Sequence, residues 1–257
     1  MKDNKRTIRL DQVGVAILST DRVECTKKLL DSIESKTPTI GWRVFVMDDS
    51  SEANANQVFH VCQRDWVDYR RTGDRIGVAR NTNEAMKVLE EFEFKIILNN
   101  DVEILKRGWA LIYPMVMVAT GYHHLCFQQE GLWGAGTEKR PQTITQVKQF
   151  EIKTIHNFPQ GAVMAYDQKA FKTVGYFDAK AFQGYGKSHW DWSFRVSDSG
   201  IQPEGIHDVI GSNNYFVVHN ELCCTPMDKR VADYKRNSEI FELMRNHKGK
   251  RIYIPYG

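Results

Sequence analysis

Residues 94–105, FKIILNNDVEIL, constrain this chain more than any other stretch. Ile96, Ile97 and Leu98 read as a buried strand, which breaks abruptly into Asn99, Asn100 and Asp101. A continuous apolar run ending in polar side chains is how a parallel sheet delivers functional groups to its carboxyl edge, where open α/β sheets place ligands. A carboxylate flanked by two amides suits a hard cation that also holds phosphate oxygens. An ordinary Asn/Asp turn after a strand would look the same in isolation. The neighbouring segments decide between the two.

Residues 13–18 (VGVAIL) form another buried run, ending in Ser19, Thr20, Asp21 and Arg22. A helix follows, with Val23, Leu29, Leu30 and Ile33 as its apolar stripe and Thr20 or Asp21 as its cap. Residues 43–47 (RVFVM) make a second strand, which stops at Asp48, Asp49, Ser50 and Ser51. Residues 54–61 suit a helix and 65–69 a short strand. In TGDRIGVARNTN (72–83), Gly73 and Gly77 permit a tight backbone, while Arg75 and Arg80 suit phosphate near a helix start. Strands alternating with helices predict an α/β fold with a doubly wound, mostly parallel sheet and helices on both faces. Three successive strands ending in STDR, DDSS and NND put polar clusters on one edge.

Farther on, residues 109–120 (WALIYPMVMVAT) are apolar at helical spacing, and 122–153 become irregular and strand-like. Trp133, in a glycine-rich loop, suits either packing or stacking on a sugar ring. Residues 215–219 (YFVVH) are a strand ending in His219, and 231–245 suit a charged helix. Lys248, Lys250 and Arg251 form a basic cluster that is either a solvated face or a contact for an anion.

In this order, the segments resemble the inverting glycosyltransferase family 2 with its GT-A fold, over roughly residues 12–220. The carriers are ST-R, VMDDSS, RIGVARNTNEAM, ILNNDVEI, the glycine-led segment NFPQGAVMAYDQKAFKTVGYFD (157–178) and AFQGYGKSHWDWSFRV (181–196). The resemblance implies that Ser19, Thr20, Arg22, Asp48, Asp49 and Ser50 surround a nucleoside, an aspartate meeting its uracil-type imide or ribose. Arg75, Arg80, Asn81, Asn99, Asn100 and Gly161 would lie against the donor sugar and its diphosphate. Asp101 keeps the last acid of the family's D-x-D-type motif, Asn99 replaces the first, and His219 would complete a site for Mn²⁺ or Mg²⁺.

At the family's acidic pair the chain departs from the pattern. Alignment on Tyr185-Gly186 and Arg195 puts Ser188 and His189 at that pair and Asp191 at the next acidic position. The family's base is an aspartate, so either His189 takes the role or a small shift gives it to Asp191; the carboxylate matches the family chemistry better. Apart from the resemblance, Asp191 also suits an ion pair with Arg195 at i+4. Trp190 and Trp192 flank these residues, and one would form an acceptor platform while the other packs in the core.

The implied activity is metal-dependent transfer of a hexose or pentose from a nucleoside diphosphate sugar, of UDP type, to an acceptor hydroxyl, with inversion. A glycan is the first expectation for the acceptor, and a modified nucleic-acid base is an alternative that the sequence leaves without support. A non-catalytic binder of nucleotide sugars that retains the fold also accommodates the altered acidic pair. No Gly-x-Gly-x-x-Gly or Walker loop is present, against dinucleotide oxidoreductases and P-loop enzymes. The net charge of +3 is too small to dictate a nucleic-acid or membrane partner. Five cysteines without zinc spacing, a polar start and no long apolar run predict a cytoplasmic protein without a membrane span. One domain is expected, with residues 1–225 as its body and 226–257 as a charged helix and tail.

Overall fold

The computed structural model describes residues 7–39, 41–129, 142–156, 159–219, 226–246 and 252–256. The first half alternates as the sequence pattern requires: β1 (Val13–Ser19), α1 (Val23–Lys36), β2 (Val44–Asp48), α2 (Glu52–Val61), β3 (Val67–Arg71), α3 (Val78–Val88) and β4 (Phe94–Asn99). Then come β5 (Val102–Ile104), α4 (Trp109–Thr120), β6 (His124–Cys126), the hairpin β7 (Gln142–Val147) and β8 (Phe150–Ile155), and β9 (Val163–Asp167). The chain continues through α5 (Gln168–Val174), α6 (Ser188–Asp198), β10 (Ile206–Val209), β11 (Phe216–Val218) and α7 (Met227–Arg245).

The central sheet runs β3-β2-β1-β4-β9-β6. The first four strands are mutually parallel, while β9 is antiparallel to both β4 and β6. Burial on both faces explains the unbroken apolar runs: Val13, Val15, Ala16, Ile17, Ile96, Ile97 and Leu98 are all at most 1% exposed. One core layer includes Leu29, Leu30, Trp109 and Phe216; the other includes Ala85, Met86, Phe177 and Trp192. A three-stranded sheet β10-β8-β7 and a two-stranded sheet β11-β5 lie beside the main one.

Two features of the topology bring the strand ends together. The register of β1 sets Ser19 opposite Asp48 and Leu18 opposite Asn99, so three polar strand ends share one edge. Because β9 runs against β4, its start rather than its end arrives at that edge, with Val163 opposite Leu98. Gly161 and Ala162 therefore sit beside the NND segment, and the Asn99 amide donates to the Ala162 carbonyl at 2.8 Å.

Candidate active site

The carboxylates of the edge are mostly consumed by the chain itself. Asp48 is fully buried; its oxygens accept from the Ser50 amide at 3.0 Å and the Tyr69 hydroxyl at 2.7 Å. Asp49 accepts from the Ile76 and Gly77 amides and so shapes the turn before α3. Burial pushes the Asp49 carboxyl above its ordinary range despite those two donors. Asn81 bridges the Met47 carbonyl and the Thr72 hydroxyl, and Ser19 pairs with Thr26. The side chains of Asp48, Asp49 and Ser19, expected at the nucleoside, and of Asn81, expected at the donor sugar and diphosphate, all make supporting contacts within the protein. Each side chain is buried and holds its own loop.

Asp21, expected only as a cap for α1, is instead a hub. Its backbone is left-handed (φ 52°), a conformation Asp tolerates better than most residues. Its Oδ1 accepts from the Ser51 amide at 2.8 Å, the Ser51 hydroxyl at 2.6 Å and Asn54 Nδ2 at 3.0 Å. Oδ2 meets Arg75 at 2.5 Å, and the Asp21 amide donates to Ser50 Oγ. Burial alone would raise its pKa, but the donors from Ser51 and Asn54 together with Arg75 outweigh it and lower it. Asp21 lies within the first strand-end cluster, and nothing local in the sequence marks Ser51 and Asn54 as its partners.

At the end of β4, Asn100 Nδ2 ties the strand to Thr26 on α1 at 3.1 Å. Asp101 Oδ2 pairs with Arg22 Nη1 at 2.9 Å, while its buried Oδ1 has no hydrogen-bond partner. An orphaned, buried carboxylate oxygen fits a divalent cation, and so does a hard site whose remaining ligands come from substrate phosphate. His219 reaches the same place through its backbone, its amide donating to the Asp101 carbonyl at 3.0 Å. Its ring Nε2, however, is engaged by Glu103 at 2.7 Å. Among the described residues, no group of three or more His, Cys, Asp or Glu is arranged to hold a metal. Thr20 and Asn99 are half-buried at this edge, and Arg75 and Arg80 are exposed at the start of α3.

The residues expected on the acceptor side are carried by α6. Asp191 lies inside the protein, paired with Arg195 Nε at 2.9 Å. Arg195 also donates to the carbonyls of Val174, Tyr176 and Ile252. Burial pushes the Asp191 carboxyl up and the adjacent guanidinium pulls it back. A carboxylate committed to an arginine that staples three chain segments is placed as a structural anchor, which disfavours it as the base.

His189 is placed differently. Its ring packs against Gly161 so closely that a Cβ there would lie 2.6 Å from His189 Cγ. Its Nε2 pairs with the Pro159 carbonyl at 2.9 Å. Since a carbonyl can only accept, Nε2 carries the proton and Nδ1 is left as the acceptor nitrogen of the neutral ring. Burial lowers its pKa to about 4.

Neither flanking tryptophan offers an open platform. Trp192 is fully buried, stacked on Phe177 with 6.0 Å between centroids and bonded through Nε1 to the Gly175 carbonyl. Of the two tryptophans, it is the one that packs in the core. Trp190 meets Phe241 of α7 edge-on and is capped by the Lys187 ammonium, 3.1 Å from the ring centroid. Trp133, Lys248, Lys250 and Arg251 lie outside the described residues.

The loop before α6 was not legible as a built element. Asn237 of α7 donates from one amide to the carbonyls of Gln183, Tyr185 and Gly186. Asp233 accepts from the Tyr185 amide at 3.2 Å, and Gly184 (φ 69°) passes so close that a Cβ would lie 2.1 Å from Asp233 Oδ2. Gly77 and Gly184 approach backbone to backbone, so this loop also rests on the turn that Asp49 shapes.

Comparison with known proteins agrees on the architecture. No family model matches the chain, and no curated protein matches it. Among solved structures, a mannosyltransferase from Pyrobaculum calidifontis in complex with GDP-Man and Mn²⁺ is 14% identical with a TM-score of 0.54, over 75% of this chain and 55% of that one. TarS from S. aureus, residues 1–349 in complex with UDP, is 15% identical with a TM-score of 0.56, over 79% and 59%. GalNAc-T7 with UDP, GalNAc and Mn²⁺ is 14% identical with a TM-score of 0.56, over 88% and 47%. The chain spans about half the length of these proteins. The likeness carries the fold: this chain has the GT-A fold of nucleotide-sugar glycosyltransferases.

Proposed function

We propose that the chain transfers a sugar from a nucleoside diphosphate sugar to an acceptor hydroxyl with inversion, in the manner of glycosyltransferase family 2. One observation carries the reading. The Asn99–Asp101 strand end, the glycine at the start of β9 and the His189 ring are contiguous, through the Asn99–Ala162 hydrogen bond and the Gly161–His189 contact. In this reading a candidate diphosphate site and a candidate base are neighbours, with the His189 ring filling the space that a side chain at position 161 would take.

In this reading the edge residues shape the nucleoside pocket through backbone positions, with Asp21, Asp49 and Asn81 holding the loops. Arg75 and Arg80 face the donor's negative charge. Asp101 and His219 would hold Mn²⁺ or Mg²⁺, which supplies Lewis-acid neutralisation of the leaving diphosphate. Turning the His219 ring from Glu103 is the rearrangement this requires. His189, neutral at physiological pH and protonated on Nε2, accepts the acceptor's hydroxyl proton at Nδ1. Attack from the face opposite the leaving group inverts the anomeric centre. A uridine nucleotide and a glycan acceptor remain the first assignment. No helix among the described residues is long and apolar enough to cross a membrane.

The replacement of the acidic pair by Ser188 and His189 favours one second reading, a nucleotide-sugar-binding protein without turnover. Thermal shifts with UDP, GDP, CDP and TDP, each with and without Mn²⁺, test the donor site, because specific binding stabilises the folded state by mass action. A metal-dependent shift for one nucleotide that is lost in Asp101→Ala supports it, and no shift with any nucleotide overturns it. Release of free sugar from the matching donor then separates an enzyme from a binder.

A further inference from the structure

The Arg22–Asp101 pair is the one feature of the donor edge that the supporting network leaves unexplained. Asp21 also pairs with a guanidinium, that of Arg75, but its other oxygen is filled by Ser51 and Asn54, whereas Asp101 holds only the guanidinium of Arg22, from the start of α1. The two side chains are 20% and 10% exposed, so the pair is neither bulk-screened nor sealed. One carboxylate oxygen is neutralised and the other is buried without a partner. A carboxylate so divided has one lone-pair face turned to a cation while its charge is already balanced.

We infer that Arg22 competes with the divalent cation for Asp101 in the empty protein and is the counter-charge handed to the donor's diphosphate when that donor binds. The inference rests on the donor-site reading above. A guanidinium 2.9 Å from the carboxylate opposes a dication at the same group by direct repulsion. Binding of a diphosphate reverses this, because the anion gives Arg22 a bidentate partner and frees Asp101 for the metal. Metal and nucleotide then bind with positive coupling, each raising the other's affinity by the same factor. Neither alone is held tightly, so the site assembles only around a complete donor.

The test is direct Mn²⁺ binding, read as loss of the free-ion EPR signal, for the wild type, Arg22→Gln, Arg22→Lys and Asp101→Asn, each with and without UDP or GDP. Circular dichroism melts confirm that each variant is folded. For the wild type, weak binding alone and binding at least about tenfold tighter with the matching nucleotide are expected, the size of effect that one unit charge at contact distance produces in a partly screened site. Arg22→Gln should bind Mn²⁺ about tenfold tighter than wild type without nucleotide and gain little from adding it. Arg22→Lys, which keeps the charge, should resemble wild type, and Asp101→Asn should bind no Mn²⁺ under either condition. Equal or weaker Mn²⁺ binding by folded Arg22→Gln without nucleotide overturns the competition while leaving the donor site standing. Failure of the wild type to bind Mn²⁺ with either nucleotide overturns the donor site itself.

Discussion

The strand-end edge proposed to hold the donor and the loop before α6 proposed to face the acceptor are built in opposite ways. At the donor edge, Asp48, Asp49 and Asp21 hold backbone amides and hydroxyls that mostly lie within about one supersecondary unit of themselves. Around the acceptor loop, the polar contacts come from far along the chain: Asn237 and Asp233 reach back to residues 183–186, and Arg195 binds the carbonyl of Ile252. The first is a site organised by strand ends and the turns that follow them. The second is a loop held in shape by a helix added after the sheet is complete.

The sharpest break in this comparison is Arg195→Met. It leaves Asp191 as an uncompensated buried charge and should cost about 3–5 kcal/mol in urea unfolding. A loss below about 1 kcal/mol would mean that Asp191 is not anchored as described. Acid comes next. His124, His189 and His207 are each pushed down to about 4 by burial. The unfolded chain, with ordinary histidines near 6.5, therefore binds more protons in the interval between. Stability should be fully present above about pH 6.5 and fall as the pH drops towards 4, by roughly 2–3 kcal/mol for each such group. Chemical denaturation at pH 7 and pH 5 checks the sign. The smallest effect sharpens the contrast itself. Asn237→Ala removes one donor from three loop carbonyls and should cost about 1–3 kcal/mol. It should weaken turnover more than nucleotide affinity, because its three partners lie in the loop before α6 and reach the donor edge only through the Gly77–Gly184 contact.

How much was readable from sequence follows the same division. The strand ends STDR, DDSS and NND were legible because a buried strand must show a continuous apolar run, and their shared edge followed from parallel order. The individual roles of Asp48 and Asp49 were not, because a carboxylate that binds a ligand and one that caps an amide have the same side chain. Asp21 was hidden as a helix cap because its left-handed backbone is visible only in the folded turn. Around residues 185–195 the ambiguity was chemical. Asp191 and Arg195 stand at i+4, a spacing compatible with a buried anchor, and only burial shows the arginine reaching three separate carbonyls. Trp192 was unresolvable against Trp190 because residues two apart on a helix point to different faces, and which face is buried is set by tertiary packing. The use of Asn237 as a clasp had no local signal, being defined by a partner some fifty residues away.

The central claim is that the proton acceptor is His189, with Asp191 as its structural neighbour. The most direct measurement is turnover of the matching donor sugar by His189→Gln, with nucleotide affinity measured on the same preparation. A rate reduced by about 10²–10⁴, with nucleotide affinity unchanged, is the predicted result. A rate within threefold of wild type would contradict the account and return the role of base to another group.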